Sequence, residues 1–170
     1  ISAIRQLHNF GYTPKKPVVM SWSSGFEELI MLDPKHRANL IVGSNYYYKV
    51  DTPGNKAFVA AYRKKSGGVP PGYGPGAGYG LMKMVLRGMK KANSTNPVDV
   101  IRALEGEKGN NFVGDFYING RNHQTVRPFF VMRTKPASKM ADKYDFAEIV
   151  NVSSTEQPRD MNQCKDIGKF

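Results

Sequence analysis

GSNYYYKVDTPGNKAFVAAYRKKSGGVPPGYGPGAGYGLMKMVLRGMKKANSTNPVDVIRAL, residues Gly43–Leu104, carries the reading of the fold. Asn55 to Ser66 is amphipathic: Ala57, Phe58, Ala61 and Tyr62 share one side, and Arg63, Lys64 and Lys65 trail near the C-terminus, where cations suit the helix dipole. Gly67-Gly68 stops that helix. Gly67 to Gly80 holds seven glycines, but their spacing gives neither G-x-G-x-x-G nor a lysine-bearing phosphate loop, so the segment reads as a connection that lets backbones pack closely. Leu81 to Ala92 is a helix with Met82, Val85, Leu86 and Met89 as an apolar stripe, which fits core better than a cofactor site. Asn96 caps the next helix and Pro97 takes its first position, with Val100, Ile101 and Leu104 facing inward.

On the N-terminal side, Ile1, Ile4, Leu7 and His8 follow helical spacing, and Gly11 sits where a helix stops. Val18-Val19-Met20 is a short, wholly apolar strand of the buried parallel type. Ser24 and Glu27 fit an S-x-x-E capping box, which starts a helix at about Ser24 and turns its free amides toward the strand end. In an open α/β sheet that edge binds ligands. Pro34 ends this helix, and Ala38 to Tyr48 reads as one long strand that leaves its sheet. A helix followed by a strand is half of a βαβ unit, so the partner strand is expected from a preceding portion of the same protein.

On the C-terminal side, strands near Val113 to Ile118 and Arg127 to Arg133 flank Asn119-Gly120, a turn signal that predicts a hairpin. Beyond Lys135 the chain turns polar, apart from an apolar run at Phe146 to Val152.

The 170 residues are 40% hydrophobic and 23% charged, enough for one buried core. No apolar run approaches the roughly 20 residues that cross a bilayer. The net charge of +11 raises the question of nucleic acid, but the 25 lysines and arginines are scattered, and Lys15-Lys16 and Arg63-Lys64-Lys65 sit at element edges, as solvated charges do. The single cysteine, Cys164, makes no internal disulfide, and no Cys/His spacing suggests a metal. The three histidines, His8, His36 and His123, have no nucleophile to serve, and Glu27-Glu28 read as helix-start acids. No catalytic set, metal or cofactor is expected. A binding protein remains.

The segment resembles the leucine/isoleucine/valine-binding family of periplasmic solute-binding proteins. The resemblance rests on N-x-x-F-x-x-x-Y (Asn55, Phe58, Tyr62), a loop from Pro70 to Pro75, and A-x-Y (Ala77, Tyr79). A second stretch, Gly114 to Val131, resembles the family's return strand, with Asn122-His123-Gln124 where the family has Asp-His-Gln. It covers roughly residues 1 to 135.

The resemblance implies an α/β fold, part of a two-lobe periplasmic-binding-protein type I architecture whose lobes are parallel-sheet sandwiches, incomplete in this chain. Residues 1–45 fall in the second lobe, 46–118 in the first, and 119–170 return to the second and form a tail. Tyr46, Tyr47, Tyr48, Phe116 and Tyr117 fall at hinge crossings. Ser21, Trp22, Ser23 and Ser24 align with the loop facing the solute from the second lobe, and Tyr73 and Tyr79 with aromatics above it. Each tyrosine from Tyr46 to Tyr79 also suits plain packing, and Trp22 also suits filling a gap beside Phe26. Family members that bind branched-chain amino acids present an acid where this chain has serines and a tryptophan. Serine hydroxyls and helix amides suit a carboxylate or amide, so amides, urea and aromatic carboxylates join the candidate solutes.

The partners so implied are a small-molecule solute, the membrane subunits of an ABC transporter and the N-terminal portion of the same protein, without nucleic acid. The implied location is the periplasm, with an export signal in that portion. Two other readings stay open: a ligand-sensing domain of a regulator or receptor with the same fold, and a basic nucleic-acid-binding module.

Overall fold

The computed structural model describes residues 1–21 and 25–154; Trp22, Ser23, Ser24 and Cys164 lie outside the described residues. Helix α1 (Ser2–Asn9) buries Ile4 and leads to strand β1 (Val18–Met20), as the spacing predicts. The short helix α2 (Phe26–Leu29) and a 3-10 turn at Pro34–Arg37 connect β1 to β2 (Leu40–Ser44), and the two strands pair in parallel with Val18 opposite Leu40. Strand β2 then pairs antiparallel with β6 (Phe129–Thr134), which pairs antiparallel with β7 (Ala147–Ser153), giving the order β1-β2-β6-β7. The sheet is therefore mixed, whereas a parallel one was expected. Its last two strands come from the far end of the chain: β6 runs back along β2, and β7 runs back along β6.

Leu40 and Val42 alternate with half-buried Ile41 and pack with Leu29, Phe130, Met132 and Phe146 in the core of this sheet. Thr134 ties its end together: its hydroxyl accepts from Leu40 N–H at 3.1 Å and donates to the Arg37 carbonyl.

The rest of the described chain forms helices α3 (Pro53–Lys65), α4 (Tyr73–Ala92) and α5 (Pro97–Leu104) and a small antiparallel sheet. That sheet has the order β3-β4-β5, with β3 at Lys108–Asn111, β4 at Gly114–Ile118 and β5 at Thr125–Val126. Two passages join it to the first sheet. One runs from Ser44 through Tyr46–Val50 into α3, and the other from Val126 through Pro128 into β6.

Four local expectations need correction. The strand expected to reach Tyr48 stops at Ser44, because the Ser44 hydroxyl donates to the Tyr46 carbonyl at 2.8 Å and accepts from Tyr46 N–H at 3.3 Å, which bends the chain. Asn119-Gly120 does not join β4 to β6. It leads to the two-residue β5, which pairs with Tyr117 and Ile118, and β4 makes its other pairing with β3. Helix α2 starts at Phe26, and it is Glu28, not Glu27, that reaches back, accepting from Gly25 N–H at 2.8 Å.

The fourth correction is the largest. Helix α4 begins at Tyr73 and takes in the second half of the glycine-rich segment expected as a connection. Gly76 makes this favourable: a Cβ there would stand 2.5 Å from the Tyr46 ring, so only glycine lets the helix lie against that ring. Packing offsets the roughly 1 kcal/mol that each helical glycine costs relative to alanine. On the side facing α5, Gly88 packs against Val100 and Leu104. The helix thus docks through its glycines and leaves Met82 and Leu86, expected as core, 59% and 56% exposed.

Candidate functional site

Strands β1 and β2 run in parallel, and the C-terminal ends of parallel strands are where open α/β sheets receive ligands. Ser21 follows β1 at this edge and is exposed. Strand β2 ends here at Ser44, and Asn45 follows it. Facing them is the start of α4, and Gly25, Ser44, Asn45 and Tyr73 line a shallow recess of about 10 Å³, room for about one water molecule. The fit is close, since a Cβ on Gly25 would come within 2.7 Å of the Tyr73 ring.

The helix starts around this recess are already capped. Glu27, on α2, accepts from Tyr73 N–H and Gly74 N–H of α4 at 3.3 Å each, and a Cβ on Gly72 would strike its carboxylate. Glu28 takes Gly25 N–H. Of the amides at the start of α2 expected to be free for a solute carboxylate, that of Gly25 is therefore already held by the chain's own Glu28. The chain's own carboxylates occupy both helix starts, which suits the positive end of a helix dipole.

The other expected site residues sit as follows. Tyr73 is 38% exposed and borders the recess. Tyr79, 37% exposed, stacks on Phe58 at 4.3 Å between ring centroids and meets Phe112 edge-on at 5.0 Å, so it belongs to an aromatic cluster apart from the recess residues. Tyr46, Tyr47 and Tyr48 are buried in the first passage between the sheets. Burial pushes their phenols above the ordinary tyrosine range. Tyr46 hydrogen-bonds Asn55, while Tyr47 and Tyr48 donate to the carbonyls of Ala147 and Tyr144 at 3.0 and 3.1 Å. Phe116 and Tyr117 lie on β4, with Phe116 buried. Trp22, Ser23 and Ser24 lie outside the described residues.

The His123 ring stands 3.0 Å from Glu105 and its backbone N–H donates to the Asn119 carbonyl at 2.8 Å, which makes it a structural residue of the turn. Among the described residues no group of three or more His, Cys, Asp or Glu is placed to hold a metal. None of their helices is long and apolar enough to cross a membrane.

Two features escaped the sequence reading. Asn45 stands at the end of a buried strand, the same signal that singled out Ser21, but extending that strand to Tyr48 hid its end. Asp145 is buried and receives Lys49, Lys135 (2.5 Å) and Ala141 N–H (3.0 Å). Burial pushes its carboxyl up, and these three donors outweigh burial and hold it at about 2.

A separate groove of about 700 Å³ lies along α4, bordered by Pro53, Leu86, Arg87, Phe112 and Phe116. Next to it Leu81 is 65% exposed, so this apolar face is uncovered among the described residues.

The geometry agrees with the comparisons. The chain superposes with a TM-score of 0.87 on an amino acid ABC transporter substrate-binding protein from Pseudomonas fluorescens, at 27% identity over 95% of this chain and 43% of that one. It also superposes on a solute-binding protein of an ABC transporter from Rhodopseudomonas palustris, solved with 3,4-dihydroxybenzoic acid (TM-score 0.76, 19% identity, 91% of this chain and 42% of that one). A leucine-binding protein from Thermotoga maritima gives a TM-score of 0.70 at 18% identity over 88% of this chain and 40% of that one. The chain thus spans well under half the length of these relatives. None of the curated proteins matches it in sequence. The periplasmic binding protein family matches residues 1–141, and the chain belongs to that family.

Proposed function

We propose that this chain is part of the solute-binding protein of an ABC importer. In this reading it captures a small solute in the periplasm, in a cleft between two lobes, and the closed, loaded form is presented to the membrane subunits. The four-stranded sheet belongs to one lobe; helices α3–α5 and the three-stranded sheet belong to the other. The two passages between the sheets, with Tyr46–Tyr48 on one and Phe116-Tyr117 leading to the other, act as hinges. The uncovered face of α4 is where the remainder of its lobe packs.

The observation that carries the reading is the recess at the parallel-strand edge, where Gly25, Ser44 and Asn45 from one sheet meet Tyr73 from α4. A solute held there touches both halves, so it favours the closed state by the difference in contacts between closed and open. Ser21 borders the same edge, and the loop residues Trp22, Ser23 and Ser24 remain proposed contacts. The similarity to an amino acid transporter's binding protein at 27% identity supports an amino acid or a related small solute. Binding and release require no bond to be made or broken, and the chain is proposed to have no enzymatic role.

Thermal-shift screening of the full-length protein against amino acids, amides, urea and aromatic acids tests this. At least one solute should raise the melting temperature, and Tyr73→Ala should weaken its affinity by about tenfold, the loss of one aromatic contact. If no solute stabilises the protein, the reading is wrong.

A further inference from the structure

Asn119 is the one asparagine in the chain that glycine follows, and the pair opens the turn between β4 and β5. The asparagine is braced at three points. Its backbone N–H donates to the Gln124 carbonyl at 2.9 Å, its carbonyl accepts from His123 N–H at 2.8 Å, and its side-chain Oδ1 accepts from Arg121 N–H at 2.8 Å. Gly120 N–H, in the midst of these bonds, donates to no group among the described residues. The φ of Gly120 lies outside the left-handed region, so the backbone conformation itself does not call for glycine.

These contacts favour a reaction within the chain. When solvent base removes the Gly120 amide proton, the nitrogen can close a five-membered ring on Asn119 Cγ, and the two atoms are already held in one short turn. Attack puts negative charge on Oδ1, where Arg121 N–H already donates. Glycine has no side chain to crowd the attacking nitrogen. Asn119 and Gly120 are half-buried and Arg121 is exposed, so solvent reaches the turn. Asn93 is exposed too, but the Ser94 N–H that would have to attack is spent on the Met89 carbonyl at 3.2 Å.

We propose that Asn119 is a site of spontaneous deamidation: the Gly120 nitrogen bonds to Asn119 Cγ, the Cγ–Nδ2 bond breaks, Nδ2 leaves as ammonia with the proton that Gly120 gave up, and water opens the succinimide to aspartate or isoaspartate. The isoaspartyl product carries the main chain through Cβ and Cγ, which adds a methylene and turns the former Asn119 carbonyl into a carboxylate. That carbonyl is the acceptor of His123 N–H, and Gly120 lies against Glu105, a like charge for the new one. The lengthened turn no longer fits the two pairs that β5 makes, Tyr117 with Val126 and Ile118 with Thr125, just before the passage into β6. On the solute-binding reading this passage is a hinge, so the modification slackens closure.

The test incubates the full-length protein at mildly alkaline pH beside a synthetic peptide of residues 114–125 and follows both by peptide mapping with mass spectrometry. Asn119 should convert ahead of Asn93, and faster as pH rises. Gly120→Ala should lose most of the product; its methyl meets Gly106 N at 3.3 Å, so Asn119→Gln, which leaves Gly120 untouched, should lose it as well. The isoaspartyl form, separated from the parent, should exchange the amides of residues 117–126 faster, with β2 and β6 unchanged. Asn119→Asp brings the charge without the methylene and should leave that exchange close to the parent's. An Asn119 that stays intact while the peptide converts, or that converts after Asn93, overturns the site. Equal loosening in Asn119→Asp, or none in the isoaspartyl form, overturns the structural consequence. These outcomes are read without solute, so they stand apart from the fate of the proposed function.

Discussion

Tyr46 donates its phenolic hydrogen to Asn55 Oδ1 at 2.9 Å, tying the passage out of the four-stranded sheet to the first turn of α3. The Asn55 amide completes the tie by donating to the carbonyls of Tyr48 and Val50, both at 2.9 Å. One wholly buried side chain thus fixes three points of a bend whose own backbone bonds run from Val50 N–H to the Tyr47 carbonyl (3.1 Å) and from Thr52 N–H to the Val50 carbonyl (3.0 Å).

Asn55→Ala should therefore destabilise the chain by about 3 kcal/mol, because it leaves the Tyr48 carbonyl and the Tyr46 hydroxyl without this partner and takes from the Val50 carbonyl one of its two donors. Tyr46→Phe removes one bond and should cost about 1 kcal/mol. Urea unfolding followed by circular dichroism measures both, and equal effects of the two substitutions would contradict the hub role of Asn55.

The glycines of α4 separate packing from propensity. Gly76→Ala drives a methyl into the Tyr46 ring and should destabilise by about 1 to 3 kcal/mol despite its better helix propensity. Gly78 lies on the same helix with nothing within 4 Å of its Cβ position, and Gly78→Ala should instead gain up to about 1 kcal/mol. Thermal melts of the two variants should shift in opposite directions.

Asp145 predicts an acid limb of stability. Its carboxyl is held at about 2 in the folded chain, below the ordinary value of about 4, so its contribution is fully present above about pH 4 and is lost as pH falls toward 2. The contribution is about 2 kcal/mol. Asp145→Asn should remove it, flattening stability against pH between about 4 and 2 relative to the parent; an unchanged slope would show that Lys49 and Lys135 do not hold the carboxylate.

Glu27 joins α2 to α4 through the amides of Tyr73 and Gly74. Glu27→Gln keeps the shape and removes the charge at the helix start, an effect of about 0.5 to 1 kcal/mol. Hydrogen exchange at Tyr73 and Gly74 should accelerate while exchange in β2 and β6 stays as it was.

Much of this architecture is legible in the sequence where the signal is local. Asn96 accepts from Val98 N–H at 2.9 Å, so α5 begins where its capping residue and proline announce it, whereas α3, expected from Asn55, begins at Pro53, where Thr52 accepts from Asn55 N–H at 3.1 Å. Val18–Met20 is a strand because three apolar residues stand between turn signals. What the sequence hides is tertiary. The Tyr73–Gly80 segment is helical because Tyr46 fills the space its glycines leave, a contact about thirty positions away. Asp145 and Lys49 lie 96 positions apart, with no spacing to announce them. The recess likewise combines Tyr73, a candidate from the resemblance, with Gly25 and Asn45, which carry no signal alone, and only the end of β2 at Ser44 brings Asn45 to the edge.

The central claim is closure of two lobes over a solute, and small-angle X-ray scattering of the full-length protein tests it most directly. With the solute found by thermal shift added to saturation, the radius of gyration should fall and the scattering should interconvert between two states as solute is titrated. An unchanged radius of gyration with solute demonstrably bound would contradict the account.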